Sequence, residues 1–159
     1  MNTNAIGVFD SGLGGLSAVK QMLKAKPNEN IICFGDTGPV PYGNRSMDTI
    51  GKYAMQDANL LLKNNVKMVV AACGTVSSVA PDLENVLGVP YTGVVLPTCF
   101  TALKESKNGK VGVIGTTATI NSHSYKERIQ QKNPSFEVFE QDCPLFVPLV
   151  ENGIINRDD

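Results

Sequence analysis

Cys73 is the side chain in this sequence best placed for chemistry, because it follows a strong apolar run. Residues 68–72 are continuously apolar, which indicates a strand buried on both faces of a parallel sheet. The carboxyl end of that strand, where ligands bind in open α/β sheets, would carry Cys73 together with Gly74 and the hydroxyl of Thr75. The positive end of a following helix would lower the pKa of the thiol and favour the thiolate. A buried structural cysteine is the alternative interpretation.

A glycine-rich loop, Asp10-Ser-Gly-Leu-Gly-Gly15, carries the second group that could move a proton, the Asp10 carboxylate. The loop lies between an apolar run at residues 5–9 and helically spaced apolar residues that continue to Pro27. Its glycines would let the backbone approach a ligand closely, with free N–H groups of the next helix directed at an anion. The spacing matches neither a dinucleotide fingerprint nor a P-loop. The alternative is a tight turn in which Asp10 caps the helix.

Composition points to a small-molecule partner. The 159 residues include 14 Lys and Arg against 15 Asp and Glu, a net charge of -1 that recruits neither nucleic acid nor an anionic membrane. The N-terminus lacks the features of a signal peptide, and no apolar run reaches the length of a membrane span. We therefore expect a cytoplasmic protein with reduced thiols.

The cysteines and the single histidine do not form a recognisable metal-binding pattern. Cys33, Cys73, Cys99 and Cys143 lie far apart without a CxxC pair. His123 has polar neighbours and is expected to be an exposed helix residue without a chemical role. We expect no metal and no cofactor, since the lysines also lack the setting of a pyridoxal phosphate site.

The elements that must position these groups alternate between strand and helix. Residues 31–34 predict a second buried strand, and the Pro- and Gly-rich residues 35–45 predict a loop of defined shape. Within that loop, backbone amides of Pro41-Tyr42-Gly43 could bind a carboxylate, and a plain surface turn is the alternative. Ser46 is expected to cap a helix with one apolar stripe. The stripe consists of Ile50, Tyr53, Ala54, Ala58, Leu61 and Leu62.

The second half repeats this plan. Residues 91–95 predict a strand, Leu96-Pro97 should break the pattern before a helix at 100–107, and residues 110–114 begin another strand. A helix should follow to about residue 132. Thr116, Thr117 and Thr119 could face the same crevice as Cys73 or could cap that helix. Residues 136–139 predict the last strand, and residues 143–151 an apolar loop. We expect a first domain at 1–96 and a second at 97–159.

Taken together, five motifs resemble the glutamate racemases of the aspartate/glutamate racemase family over nearly the whole chain. They are Asp10-Ser-Gly-Leu-Gly-Gly-Leu-Ser17, Asp36-Thr37 through Pro41-Tyr-Gly43, Cys73-Gly-Thr75, the run beginning Gly115-Thr116, and Cys143-Pro-Leu-Phe-Val-Pro-Leu-Val-Glu151. The resemblance implies an α/β fold of two similar parallel-sheet domains, with glutamate bound in the cleft between them. It also implies cofactor-independent interconversion of L- and D-glutamate that supplies D-glutamate for peptidoglycan, and it allows a homodimer.

The resemblance assigns roles to individual residues. Inverting a carbon centre by deprotonation needs one acid/base group on each face of that carbon. Cys73 would be the thiol that acts on the D-glutamate side, with Asp10 assisting its proton transfers, and Glu151 would assist on the opposite face. The implied substrate-binding residues are Asp10, Ser11, Pro41, Tyr42, Gly43, Gly74, Thr75, Thr116 and Thr119.

The sequence departs from the family pattern in two respects. Gly74 stands where the family has Asn, which removes an amide that would bind substrate. The family's second catalytic cysteine, in a Gly-Cys-Thr-His motif, would come after Asp159, and no other cysteine here sits in that motif. We therefore expect an incomplete second domain, a first domain without its C-terminal return, and no activity from this chain alone. The alternatives are a non-catalytic ligand-binding remnant of the family and a racemase for a related substrate such as aspartate.

Overall fold

The first half of the chain forms a four-stranded parallel sheet. The structure, a computed structural model, describes residues 3–38 and 42–154. The strands lie in the order β2-β1-β3-β4, and every neighbouring pair is parallel. They span β1 (Ile6–Asp10), β2 (Ile31–Gly35), β3 (Met68–Ala71) and β4 (Tyr91–Gly93). They are connected by α1 (Leu16–Ala25), α2 (Met47–Leu62) and α3 (Gly74–Val79), with 3-10 turns at Tyr42–Asn44 and Pro81–Asn85.

The second half is built on a separate pair of parallel strands. Its elements are α4 (Val95–Glu105), β5 (Lys110–Gly115), α5 (Thr117–Asn121), α6 (Ser124–Lys132), β6 (Glu137–Asp142) and α7 (Phe146–Glu151). Strands β5 and β6 pair along their full length. A small core of Val95, Cys99, Ile129, Phe136 and Val138 packs α4 and α6 against them. The predicted α/β class with parallel sheets is confirmed, while the domain division at residues 96 and 97 stays a prediction.

Strand order explains why the Asp10 loop and Cys73 become neighbours. The chain leaves β1 for β2 on one side and later returns to β3 on the other, so the connections diverge between β1 and β3. Such a switch point opens a crevice at the carboxyl ends of the strands. Phe9 is in register with Ala71, and the amide of Ala72 donates to the carbonyl of Phe9 at 2.8 Å. The residues after each strand therefore emerge side by side.

Helix α2 covers the main core, as its apolar stripe predicts. Ile50, Ala54 and Ala58 are fully buried, and Ser46 caps the helix by accepting from the amide of Thr49 at 3.2 Å. A side chain at Gly7 of β1 would lie 3.1 Å from Leu61, so glycine there allows α2 to approach the sheet closely.

Several local predictions are wrong. The predicted buried strand at 31–34 is an edge strand whose residues are partly buried or, at Cys33, exposed, because β1 is its one neighbour among the described strands. Helix α4 starts at Val95 rather than residue 100, since Pro97 lies in the first turn, where proline needs no N–H partner. The predicted strand at 91–95 accordingly ends at Gly93.

The second half of the chain also differs from prediction at residues 146–151 and at His123. Residues 146–151, predicted as part of an apolar loop, form helix α7. His123 is exposed as expected but is not a helix residue. It has a left-handed backbone (φ 52°) between α5 and α6, and its Nδ1 lies 2.7 Å from Glu140 Oε2.

Two adjacent leucines of α2 give a direct test of this packing. Leu61 is 1% exposed and Leu60 is 41% exposed. Leu61→Ala should lower the free energy of unfolding by about 2–5 kcal/mol, because it leaves a cavity in the core. Leu60→Ala should cost less than about 1 kcal/mol. Urea denaturation measures both, and equal losses would contradict the assignment of the buried face.

Candidate active site

The glycine loop holds the Asp10 carboxylate in a fixed position. Asp10 is 7% exposed, and its Oδ2 accepts from the amides of Gly12 at 3.2 Å and Gly15 at 2.9 Å. A side chain at Gly15 would place its Cβ 2.6 Å from Asp10 Cβ, so only glycine fits there. Amides of the loop are therefore used by a carboxylate of the protein rather than left open for a ligand.

Glu151, on α7, contacts the same loop from the second half of the chain. Its Oε1 accepts from the amide of Leu13 at 3.0 Å, and a side chain at Gly12 would collide with its carboxylate. The glycines of the loop thus permit two close approaches, one by Asp10 and one by Glu151. The amides of Gly12, Leu13 and Gly15 thus bind two carboxylates of the protein, while the direction of N–H groups of the following helix at an anion stays a prediction.

Cys73 is buried near the carboxyl ends of β1 and β3. It is 4% exposed, its Sγ lies 3.1 Å from the hydroxyl of Ser11, and it caps α3 by accepting from the amide of Val76 at 3.4 Å. Burial raises the pKa of the thiol, the charge of Asp10 raises it further, and the hydrogen bonds from Ser11 and Val76 offset only part of the rise. The expectation of a lowered pKa is therefore wrong, because desolvation outweighs the helix end.

Three threonine hydroxyls, those of Thr75, Thr116 and Thr119, join the two halves of the chain. Thr75 and Thr116 lie 3.0 Å apart, Thr116 and Thr119 lie 3.0 Å apart, and Thr119 lies 3.4 Å from Thr75. Thr116 also caps α5 by accepting from the amide of Thr119 at 3.3 Å. Of the three threonines predicted to face the crevice or to cap the helix, Thr116 does both, Thr119 lines the cavity with Cys73, and Thr117 instead donates to Asp142 Oδ2 at 3.1 Å. A side chain at Gly43 would collide with Thr116, so glycine allows the Tyr42–Gly43 turn to pack against this group.

A hydrogen-bond network with the buried Asp57 and the partly buried Asp36 anchors the Tyr42–Gly43 turn. The Tyr42 hydroxyl lies 2.6 Å from Asp36 Oδ2 and 3.2 Å from Asp57 Oδ2, and Asp57 is only 4% exposed. Burial, followed by the charge of Asp36, raises the pKa of Asp57 to about 7, although the hydrogen bond from Tyr42 lowers it. Burial also raises the pKa of Tyr42, with added contributions from both carboxylates. Below that pH, protonated Asp57 can donate to the Tyr42 oxygen while Tyr42 donates to Asp36.

The Asp10 loop, Cys73, the three mutually hydrogen-bonded threonines and Glu151 surround a cavity of about 330 Å³. Most of the predicted site residues line it, and they are Asp10, Ser11, Cys73, Gly74, Thr75, Thr116, Thr119 and Glu151. Tyr42 and Gly43 are buried behind Thr116 and are not among its described lining residues. Pro41, also predicted to bind substrate, lies outside the described residues. The predicted roles of these side chains stay predictions.

The cavity wall also contains residues that sequence reasoning missed. Tyr125 and Cys143 line it, as do the apolar residues Ile114, Phe146 and Val150. Phe146 and Val150 are four positions apart on α7, so recognising that helix in the sequence would have revealed a shared face. Nothing local in the sequence identifies Tyr125 as a cavity residue, since it is a single aromatic residue between polar neighbours on α6.

Within residues 3–38 and 42–154, no group of three or more His, Cys, Asp or Glu side chains could hold a metal ion. In the same ranges, no helix has the length and apolarity needed to cross a membrane.

Comparison with known proteins identifies the family. Residues 7–149 match the family model described as Asp/Glu/Hydantoin racemase. The chain is 48% identical over 154 residues to a glutamate racemase from Chlorobaculum tepidum, and 46% identical over 153 residues to one from Enterococcus faecalis. Each alignment covers 96% of this chain, with 57% and 56% of the respective relatives. This chain belongs to the Asp/Glu/Hydantoin racemase family.

Solved structures agree in fold. A glutamate racemase isoform from Bacillus anthracis has a TM-score of 0.93 at 33% identity, covering 97% of this chain and 58% of that one. A Francisella tularensis glutamate racemase in complex with D-glutamate has a TM-score of 0.89 at 40% identity, covering 99% and 59%. The chain therefore spans somewhat more than half the length of the relatives it matches.

The Asp57 network predicts a distinctive dependence of stability on pH. The unfolded chain releases the Asp57 proton near pH 3.9, at about its ordinary pKa, whereas the folded protein keeps it to about pH 7. The stabilisation is thus complete below the Asp57 pKa of the unfolded chain and is lost as pH rises through the Asp57 pKa of the folded protein. The free energy of unfolding changes over this range by at most about 1.4 kcal/mol per pH unit. Asp57→Asn, which mimics the protonated acid, should remove this contribution.

Urea denaturation between pH 5 and 8 measures the effect. The stability of the Asn variant relative to the unmodified protein should rise up to about pH 7 and then level off. Asp48→Asn, at an exposed position of the same helix, serves as the control and should show no such rise. Parallel curves for the unmodified protein and Asp57→Asn would contradict the assignment of a shared proton.

Proposed function

We propose that the whole protein is a glutamate racemase that interconverts L- and D-glutamate without a cofactor. The observation that carries this proposal is the contact of the Cys73 thiol with Ser11, beside an Asp10 carboxylate held by loop amides, in one cavity. The family match and the names of the relatives support the choice of reaction and substrate. Glutamate is preferred over aspartate because the relatives named above are glutamate racemases.

The first step requires the Cys73 thiolate. Without bound substrate the Cys73 thiol keeps its proton, because burial and the charge of Asp10 raise its pKa. The ammonium group of a bound amino acid, placed near Asp10 and Ser11, offsets that negative charge and so favours loss of the thiol proton. Asp10 is the neighbouring base that can accept this proton.

Inversion then proceeds by two proton transfers. The thiolate removes the proton from Cα of D-glutamate, and the electron pair of the C–H bond is delocalised into the adjacent carboxylate. A second acid, on the opposite face, delivers a proton to Cα and completes L-glutamate. Glu151, which reaches the cavity from α7, assists on that face. The reverse reaction returns the proton from Cys73.

A glutamate racemase of this kind acts in the cytoplasm and supplies D-glutamate for peptidoglycan. A homodimer is the proposed assembly. Size-exclusion chromatography with light scattering tests that assembly, and a monomer at micromolar concentration would exclude it.

Removal of the Cys73 thiol should abolish racemisation, because alanine carries no exchangeable proton. We expect Cys73→Ala in the whole protein to lower the rate by at least about 1,000-fold, measured by chiral chromatography of the product. Cys33→Ala, which removes an exposed cysteine from the edge strand, is the matched control and should retain full activity. Appreciable turnover by Cys73→Ala would show that this thiol is not the base.

Calorimetry distinguishes the proposal from a binding module of the same family. The proposal predicts that the protein both binds and converts glutamate, with weaker binding of aspartate. Binding without conversion by the whole protein would instead favour a non-catalytic module.

A further inference from the structure

Tyr125 lies in the wall of the active-site cavity but belongs to none of the motifs that identify the site. It is the second residue of α6, and its ring packs against the core of the second half. The cavity that it lines also contains Cys73 and Gly74. Its position therefore gives the second half of the chain a polar group beside the proposed base.

The hydroxyl of Tyr125 differs from every other hydroxyl among the described lining residues. Ser11 is paired with Cys73, and Thr75, Thr116 and Thr119 are paired with one another. The Tyr125 hydroxyl has no hydrogen bond to any residue in the ranges 3–38 and 42–154. A polar group in a cavity wall without a protein partner is available to a ligand.

Gly74 leaves this hydroxyl accessible. A Cβ at Gly74 would lie 3.8 Å from the Tyr125 oxygen, so a longer side chain at that position would occupy the space in front of it. Burial raises the pKa of Tyr125, with smaller contributions from Cys99 and Cys73, so the phenol keeps its proton and remains a donor at neutral pH.

The charge of the cavity wall indicates what this donor would bind. The described lining residues include two carboxylates, Asp10 and Glu151, but no Lys, Arg or His. The loop amides of Gly12, Leu13 and Gly15 already donate to those two carboxylates. A ligand with carboxylates of its own must therefore find neutral donors here, and Tyr125 has the one hydroxyl without a partner among the described lining residues.

We propose that the Tyr125 hydroxyl, next to Gly74, donates a hydrogen bond to a carboxylate of the bound amino acid and is a substrate-binding residue of this site. The inference rests on the proposed function, since it takes a dicarboxylic amino acid as the ligand. It adds a contact from α6 to those from the glycine loop and α3.

Tyr125→Phe tests the inference because it removes one oxygen and keeps the ring. Calorimetric titration with D-glutamate should give a Kd about tenfold or more higher than that of the unmodified protein, as expected for a lost hydrogen bond to a charged group. Tyr91→Phe is the matched control. The Tyr91 hydroxyl is buried without a partner among the described residues, and Tyr91 does not line this cavity, so its removal should leave the Kd unchanged.

The outcomes separate this inference from the proposed function. An unchanged Kd in Tyr125→Phe, with binding by the unmodified protein, overturns the role of Tyr125 and leaves the function intact. A weakened Kd accompanied by a melting temperature several degrees lower than that of Tyr91→Phe assigns the hydroxyl to structure and also overturns the inference. No binding of D-glutamate by the unmodified protein removes both. A weakened Kd with an unchanged melting temperature supports the inference.

Discussion

The position of the Asp10 carboxylate is the constraint on which the rest of the site depends. A buried carboxylate needs hydrogen bonds in place of lost water, and the amides of Gly12 and Gly15 supply them. This arrangement requires the close backbone approach that Gly15 permits. It also requires β1 and β3 to be adjacent and parallel, because only then does the loop emerge beside Cys73. Sheet topology, loop composition and thiol environment are thus parts of one arrangement.

The second half of the chain completes the cavity through contacts that are distant in sequence. Glu151 reaches the amide of Leu13, Thr116 reaches Thr75, and the Ser124 hydroxyl donates to the carbonyl of Ser78 at 2.6 Å. These contacts are supplemented by an apolar one, since Ala118 of α5 packs into the core of the first half. The cavity therefore lies where the halves meet, with an acid/base group from each.

Sequence alone predicts the parts of this account that depend on local pattern. The apolar run before Cys73 and the glycines after Asp10 give strand ends and a close-approach loop, and both are found. The thiol pKa was predicted in the wrong direction, because the helix end is a local feature whereas burial is set by the whole fold. The sequence does not predict helix α7, because Pro148 within it disfavours a helix. It does not predict the burial of Asp57 either, because a charged residue at a buried position does not contribute to the apolar periodicity of α2. The position of Tyr125 in the cavity wall could not be predicted, since a helical pattern shows which face of the helix is apolar but not which cavity a side chain lines.

The most direct test of the central claim is proton NMR of D-glutamate incubated with the whole protein in deuterated water. If a thiol in this cavity takes the α-proton, the α-hydrogen signal should disappear with time, and deuterium should be present at Cα in both enantiomers recovered. A persistent α-proton signal in D-glutamate that the protein demonstrably binds would contradict the account, because no proton would then have left the carbon.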